Sequence, residues 1–456
     1  MATHSLATHP PAGRRAPHTA HLAVRLLLLC GGLAVGGLWW VDTAATSLNT
    51  PGGVATAAGR VAGLVGAYLV LVQLMLLARL PWFERAVGLD RLAAWHRGLG
   101  TNVVLLLCAH VLLIVAGISL TEHSTAWSAV GEVLTGYPDT LLALIGMVLF
   151  LAVAVSSARF LRRRLSYEAW YWLHLTTYIA VALSFFHQIS AGADFVVNGL
   201  AKSAWIAMYV LVAASVLWWR LVLPVRRWFR HALVVDRVVR ETPDTVSVWL
   251  RGHRLDELAA RPGQFFLWRF VTAGHLWSAH PYSLSAPLIR GQWLRITVKD
   301  SGNHSGRLAR LHRGVPVFAE GPFGHFTSAK RRRGRVLLIA GGVGITPIRA
   351  LAEDLVGGGG DITLLYRASS WPEVALRAEI DALATLGLRV RYLVGRRRDL
   401  RADPLGPQYL RRLVPDVARR DVFVCGPPAM TATVLATLRR LNVPRAQIHT
   451  EEFSLR

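Results

Sequence analysis

Long apolar runs separated by clusters of arginine fill the first half of the chain, and short alternating runs separated by turn residues fill the second. A helix rising about 1.5 Å per residue needs about 20 apolar residues to cross a bilayer. Six stretches reach that length, near residues 22–41, 58–80, 98–120, 140–160, 170–190 and 203–223. Residues 1–20, rich in Pro, Ala, Thr and His, read as a disordered tail before them. The first stretch has the flanks of a secretory signal, with Arg14, Arg15 and Arg25 at its start and Ala44–Ala45 after it. Its apolar part exceeds the roughly 7–15 residues of such a signal, so a retained helix is expected.

Loop charges orient these stretches. Arg79, Arg85, Arg91 and Arg97 surround the second connection, Arg159, Arg162, Arg163 and Arg164 the fourth, and Arg220, Arg226, Arg227 and Arg230 follow the last stretch. The opposite connections carry only Arg60 and Lys202, beside Asp42, Glu122, Glu132, Asp139 and Asp194. Positive loops stay in the cytoplasm, so the N-terminus and everything beyond residue 224 are expected there, in a protein of the cytoplasmic membrane.

After Pro224 the pattern shortens to ALVVDRVVR, TVSVWL, QFFLW, WLRITVKD and VPVFAE, which predicts a small antiparallel β-barrel. From Arg335 it becomes strand, glycine loop and helix in repetition: VLLIA before GGVGITPIRALAEDL, then ITLLY, VRYLV and DVFVCG. That order predicts a doubly wound α/β domain. The basic linker AKRRRG, 329–334, separates the two. The expected plan is therefore a six-helix transmembrane bundle over 21–228, a barrel over 229–332 and a nucleotide-binding α/β domain over 333–456.

A chain of 456 residues has room for three such domains, and its 16 Trp suit a large membrane part. The net charge of +24 raises the question of nucleic acid, but no nucleic-acid-binding motif is present and the N-terminal arginines flank the apolar runs, so no such partner is expected. Cys30, Cys108 and Cys425 are far apart with no CxxC pair, which speaks against cysteine-held zinc or iron–sulfur. A metal here needs other ligands.

Ionisable residues inside a membrane are functional candidates because burying them in lipid is costly. The third stretch carries His96 and His110 and the fifth carries His174 and His187. Fourteen helical residues rise about 21 Å and turn almost four whole times, so His96 and His110 share a face at opposite depths. The third and fifth stretches run the same way, so His96 can meet His174 near the cytoplasm and His110 can meet His187 near the outer surface. Two imidazole pairs suit two six-coordinate haems, whereas zinc ligands converge on one point. Thirteen residues of ideal helix set His174 and His187 about 140° apart, which calls for a distorted or tilted fifth helix or for two haems that differ in azimuth. Hydrogen bonding between helices is the plainer role for any one of these histidines. His21, His123 and His304 lack such partners and read as boundary or loop residues.

Histidines 14 apart on one helix and 13 apart on another resemble the ferric reductase-like transmembrane domain shared by NADPH oxidases and ferric-chelate reductases. The resemblance implies b-type haems, with His96 and His174 on the inner one and His110 and His187 on the outer.

In the barrel, RPGQF (261–265) and HPYSLSAP (280–287) resemble the flavin-binding half of the ferredoxin–NADP reductase family. Arg261, His280, Pro281, Tyr282, Ser283 and Ser285 are the residues so implied for FAD, with His280 where that family usually has Arg. Tyr282 can stack on the isoalloxazine, and Ser283 can reach N5, where hydride arrives. In GNHSGRL, Gly302 and Ser305 offer N–H and hydroxyl groups to the pyrophosphate. Gly341, Gly342, Gly344, Thr346 and Pro347 form a glycine loop that opens a helix, a place for the nicotinamide pyrophosphate. Cys425, Gly426 and Pro427 follow the last long strand, where the family resemblance puts Cys425 beside the nicotinamide. Arg367 stands where an acidic residue would hold an NAD ribose, which favours NADP(H). The terminal EEFSLR resembles the family's closing aromatic, so Phe453 is expected over the flavin.

The expected activity is NAD(P)H-dependent electron transfer through FAD and two haems to an acceptor outside, either a ferric or cupric chelate or dioxygen. The latter would make it a superoxide-producing oxidase. Arg60 can approach outer-haem propionates, attract an anion or simply snorkel. A transporter regulated by nucleotide is the rival of another class; it needs broken helices or polar residues at mid-membrane, which the stretches scarcely show.

Overall fold

The computed structural model describes residues 18–42, 48–192, 195, 198–272, 279–288, 291–396, 399 and 403–451. Most of the expected disordered tail therefore lies outside the described residues, as does Phe453. The chain divides into two compact units that meet in sequence at Val222 and Leu223.

In the first unit the long helices are α1 (His18–Asp42), α2 (Pro51–Leu77), α3 (Leu89–Thr121), α4 (Thr140–Ser157), α5 (Tyr167–Ser190) and α6 (Gly199–Leu217). Local signals start several of them. Thr50, Ser166 and Asn198 cap α2, α5 and α6 by accepting backbone N–H groups at 3.1, 3.1 and 3.0 Å, each satisfying a donor the helix cannot use itself. Among the described residues, α2, α4, Arg91–Thr121 within α3, and Gly199–His231 are long and apolar enough to cross a membrane. Helix α5 matches the predicted stretch, but its Trp, Tyr, Thr and His residues dilute its hydropathy. Leu105 and Leu112 of α3 and Leu141, Val148 and Val155 of α4 are exposed. Such apolar faces suit lipid as the solvent.

The helices pack chiefly as α2 along α3 and α4 along α5. Small residues bring the backbones together: a Cβ on Gly59 would lie 3.0 Å from Ile114, and one on Gly146 would lie 2.9 Å from the Ala180 carbonyl.

The second unit begins with α7 (Leu223–His231), followed by β1 (Val234–Thr242), β2 (Thr245–Arg251), β3 (Phe265–Phe270), β4 (His280–Ser283), β5 (Trp293–Lys299) and β6 (Val317–Phe323). They form two antiparallel sheets, β1-β2-β5 and β4-β3-β6, joined by bridges at Val234–Pro316 and Leu284–Ile296. Val248, Leu250, Phe266, Trp268, Phe270 and Ile296 are wholly buried between them. Each such side chain contributes about 1.5–3 kcal/mol of apolar burial.

The α/β part contains β7 (Arg335–Gly341), α8 (Ile345–Gly357), β8 (Asp361–Ala368), α9 (Arg377–Thr385), β9 (Arg389–Val394), α10 (Pro407–Leu413), β10 (Asp421–Cys425), α11 (Pro428–Arg440) and β11 (Ile448–Glu451). The sheet order is β11-β10-β7-β8-β9, and every pairing is parallel. Alternate residues of β7 feed opposite cores: Val336, Leu338 and Ala340 join α8 and α9, while Leu337 and Ile339 join α10 and α11. The strand order reverses between β7 and β10, where ligands of such sheets bind. The linker is tied down at the opposite end of these strands, since buried Asp421, the first residue of β10, accepts the Arg332 and Arg333 N–H groups at 2.6 and 2.5 Å.

Candidate functional site

The loops after β7 and β10 meet at the reversal point. Gly341 ends β7, Gly342–Gly344 make a 3-10 turn, and α8 follows. A Cβ on Gly344 would lie 2.8 Å from the Gly426 Cα, and one on Gly426 would lie 3.2 Å from the Gly341 Cα. These glycines thus let two loops touch. Gly342 is different: its φ is +52° and no atom crowds its open face, so it is the member of the loop that can admit a pyrophosphate oxygen. The buried Tyr366 hydroxyl contacts the Gly342 carbonyl at 3.4 Å, and burial pushes its pKa up, keeping it neutral.

Thr346 and Pro347 are buried in the first turn of α8. The Thr346 hydroxyl lies 2.8 Å from the Val343 carbonyl and 3.2 Å from that of Thr297 on β5, so it fastens the glycine loop to the barrel. Cys425 is wholly buried, its thiol facing the Glu451 carbonyl at 3.6 Å, and burial raises its pKa well above normal. A thiol so placed stays protonated. Gly426 is buried beside it and Pro427 is exposed.

On the flavin side, β4 pairs with β3 so that His280 faces Trp268, Pro281 faces Leu267, Tyr282 faces Phe266 and Ser283 faces Phe265. The Trp268 indole donates to the Tyr282 carbonyl at 2.9 Å, and His280 lies parallel to the Tyr282 ring at 6.3 Å. Burial raises the Tyr282 phenol pKa, so a neutral ring is presented. A fixed, neutral aromatic beside a buried Ser283 fits an isoalloxazine edge. Arg261 is exposed and its N–H donates to Gln264. After Gly302 comes a five-residue helix, Asn303–Arg307, and the Ser305 hydroxyl is engaged within the loop, accepting from Ser301 and donating to Gly302.

One group that the sequence did not single out joins the two parts. Arg295, in the middle of β5 and 2% exposed, donates to the Ser285 hydroxyl at 2.9 Å and its carbonyl at 2.8 Å, and pairs with Glu379 of α9. Arg349 of α8 also meets Glu379, at 2.7 Å, and Glu353. The only advance sign is an arginine in the middle of β5.

Arg367, next to last in β8, is half-buried, and one guanidinium nitrogen donates to the Ala368 carbonyl and, at 2.9 Å, to that of Leu393. Its remaining fork is what a ribose phosphate can use.

In the helical unit the four histidines form the two expected pairs. The His96 and His174 ring centres are 5.9 Å apart, and those of His110 and His187 are 6.4 Å apart. Metal–imidazole bonds of about 2.0–2.1 Å, plus roughly 1.1 Å from nitrogen to ring centre, put opposed imidazoles roughly 6.3 Å apart. Both pairs fit one metal between them. Nδ1 of His96 and of His110 face backbone carbonyls at 3.3 and 2.8 Å. A carbonyl only accepts, so those nitrogens carry the protons and Nε2 keeps a lone pair for a metal. Among the described residues no three His, Cys, Asp or Glu side chains converge, so each pair could supply two imidazoles to a metal, the other positions being left to a non-protein group. Helix α5 is one continuous α-helix through both of its histidines, so the pairing is reached without a break in it. His123 lies beyond α3 with a φ of +49°, while the side chains of His21 and His304 lie outside the described residues.

Comparison with known proteins matches residues 62–185 to a ferric reductase like transmembrane component and 338–435 to an oxidoreductase NAD-binding domain. The first match contains His96, His110 and His174 and stops just short of His187. The ferredoxin reductase component of a 3-ketosteroid-9-alpha-monooxygenase from Rhodococcus rhodochrous is 29% identical over 228 residues, 49% of this chain and 64% of that protein. A flavohemoprotein from Halalkalibacterium halodurans is 27% identical over 250 residues, 50% of this chain and 60% of that one. Ferredoxin–NADP reductase B from Sorangium cellulosum is 30% identical over 179 residues, 35% of this chain and 71% of that protein. The chain thus spans under two thirds of the first two relatives' length.

Proposed function

Because the chain belongs to the oxidoreductases that join a ferric reductase-like transmembrane component to a ferredoxin reductase-type FAD and NAD(P) module, we propose that it carries electrons from cytoplasmic NADPH across a membrane to an external acceptor, with FAD and two b-type haems as resident cofactors. The observation that carries this reading is the pair of imidazole pairs, at 5.9 and 6.4 Å, on helices that cross the apolar unit. When bound, a flavin takes hydride as a two-electron step and releases electrons singly, and haems pass them on one at a time.

The chain's own residues set the conditions. His96 with His174, and His110 with His187, would each hold one haem between two imidazoles, and the haems would supply one-electron transfer towards a chelated ferric or cupric ion, or dioxygen. Tyr282 and Ser283 present the flavin edge, and the Gly342 face with the α8 N-terminus receives the nicotinamide pyrophosphate. Arg367 supplies a cation for the 2′-phosphate, which favours NADPH over NADH. Placing the arginine-rich loops and the second unit in the cytoplasm makes electron movement outward, and an inside-negative potential assists it by about 2.3 kcal/mol per charge per 100 mV.

Sealed inside-out vesicles containing the purified protein test the direction. NADPH added outside should reduce a ferric chelate trapped inside, with superoxide dismutase in the lumen leaving the rate unchanged. Inhibition by the dismutase would identify dioxygen as the acceptor, and reduction only of chelate added on the NADPH side would refute transmembrane transfer.

A further inference from the structure

We propose that α2 is the helix that holds both α3 imidazoles in place, through the main-chain carbonyls of Gly59 and Gln73, and that Gly63 is the positioning residue for His110. The inference rests on the reading of the four histidines as haem ligands and adds what fixes two of them.

His110 Nδ1 donates to the Gly59 carbonyl at 2.8 Å and His96 Nδ1 to the Gln73 carbonyl at 3.3 Å. These are one contact repeated. Gly59 and Gln73 stand 14 residues apart on α2, as His96 and His110 do on α3, and the two helices run antiparallel. Fourteen residues return each helix to nearly the same face, so one face of α2 serves both depths.

A helical carbonyl points towards the residue four positions on, so a side chain at 63 would cover the Gly59 oxygen. Gly63 leaves it open. A Cβ there would lie 2.6 Å from His110 Nδ1 and 2.9 Å from its Cε1, which no packed ring tolerates. Gly66, on the next turn, is less constrained: its Cβ would lie 3.1 Å from a Leu107 methyl, which can rotate away. At the other depth the hold is doubled. The Gln73 side-chain amide donates to the His96 carbonyl at 3.0 Å, so the lone amide of an apolar run ties the two backbones where the imidazole also reaches across.

The α5 ligands differ. Nδ1 of His174 is buried with no hydrogen-bond partner among the described residues, and His174 is instead packed flat against Trp170 at 5.0 Å; His187 faces the backbone of Ser184 on its own helix. Each pair therefore joins one imidazole held by an α2 carbonyl to one that α2 does not hold. A hydrogen-bonded ring is fixed in tautomer and direction and is the more basic ligand.

The test uses the full-length protein in detergent, with haem-to-FAD ratio, redox titration and low-temperature EPR as readouts. Gly63→Ala should lower the affinity of the His110–His187 site for haem by about tenfold, read as a lower haem-to-FAD ratio, while the His96–His174 haem, FAD content and NADPH-dependent dye reduction persist. Gly66→Ala should keep both haems. In a His110→Ala background, where that haem is already lost, Gly63→Ala should change nothing further. Gln73→Leu, which leaves the α2 carbonyls in place, should alter the EPR signal of the His96–His174 haem alone. Two haems at wild-type content, potential and EPR signal in Gly63→Ala would overturn the proposal for Gly63, and an unchanged inner signal in Gln73→Leu would overturn the doubled hold assigned to the Gln73 amide. Wild-type protein without haem would instead overturn the ligand reading beneath it.

Discussion

Glu379→Gln keeps the shape of the side chain and removes its charge, at a place where a buried ion pair connects the flavin and nucleotide parts. Arg295 is 2% exposed and Arg349 is 11% exposed; in the variant Arg349 keeps the carboxylate of Glu353, which is 41% exposed, and Arg295 keeps Ser285 and the Trp249 ring. Stripping one partner from a fully buried pair costs about 3–5 kcal/mol, whereas an exposed pair is worth at most about 1 kcal/mol. Glu379 is 32% exposed, so solvent screens part of its charge and the expected loss is about 2 kcal/mol. For a unit of this size that is a fall of about 4–8 °C in the transition midpoint. Release of bound flavin on heating, followed by fluorescence in the full-length protein, measures it. The pH dependence has a definite sign. Burial raises the Glu379 pKa, but Arg295 and Arg349 outweigh it and hold the carboxyl below its ordinary value. Its stabilisation is then present above the ordinary carboxylate range of about 4.3 and lost as pH falls through the lower folded value. The gap between wild type and variant should persist at pH 7 and narrow below about pH 4. A midpoint within about 1 °C of wild type at pH 7 would refute the argument that this cluster joins the two parts.

Arg367→Ala should raise the KM for NADPH at least tenfold, since a charged hydrogen bond is worth roughly 1.5–3 kcal/mol, with little change for NADH. Equal effects on both cofactors would mean that its bonds to the Ala368 and Leu393 carbonyls are its whole role. Deleting residues 453–456 should leave FAD and haem bound but change the stopped-flow rate of flavin reduction at saturating NADPH, because an aromatic stacked on the flavin adds about 0.5–1.5 kcal/mol and must move aside. Identical rates and cofactor affinity would remove Phe453 from the flavin.

What could be read from the sequence was whatever repeats locally. Apolar length announced the helices, the spacing of His96 and His110 announced a shared face, and glycine loops after apolar strands announced the reversal point between β7 and β10. Long-range partners were not legible. Arg295 and Glu379 are 84 positions apart, and nothing near either names the other. Nor does a motif say where a hydroxyl spends its hydrogen bonds: Thr346 is turned to the Val343 and Thr297 carbonyls and Ser305 to its own loop. The 140° offset on α5 is a property of an ideal helix alone, whereas the pairing also depends on where α3 places its rings. Gln73 was visible as an amide in an apolar run, but its meaning needed the register of α2 on α3.

The central claim is that two bis-histidine haems lie between the flavin and the outside. Its most direct test is the anaerobic reduced-minus-oxidised absorption spectrum of the full-length protein with NADPH as sole reductant, in wild type and in His110→Leu, His187→Leu. The wild type should show low-spin b-type haem, two per FAD, fully reduced by NADPH, and the double variant should keep one haem and normal NADPH-driven dye reduction. Full haem content in the double variant, or a wild-type spectrum with flavin alone, would contradict the account.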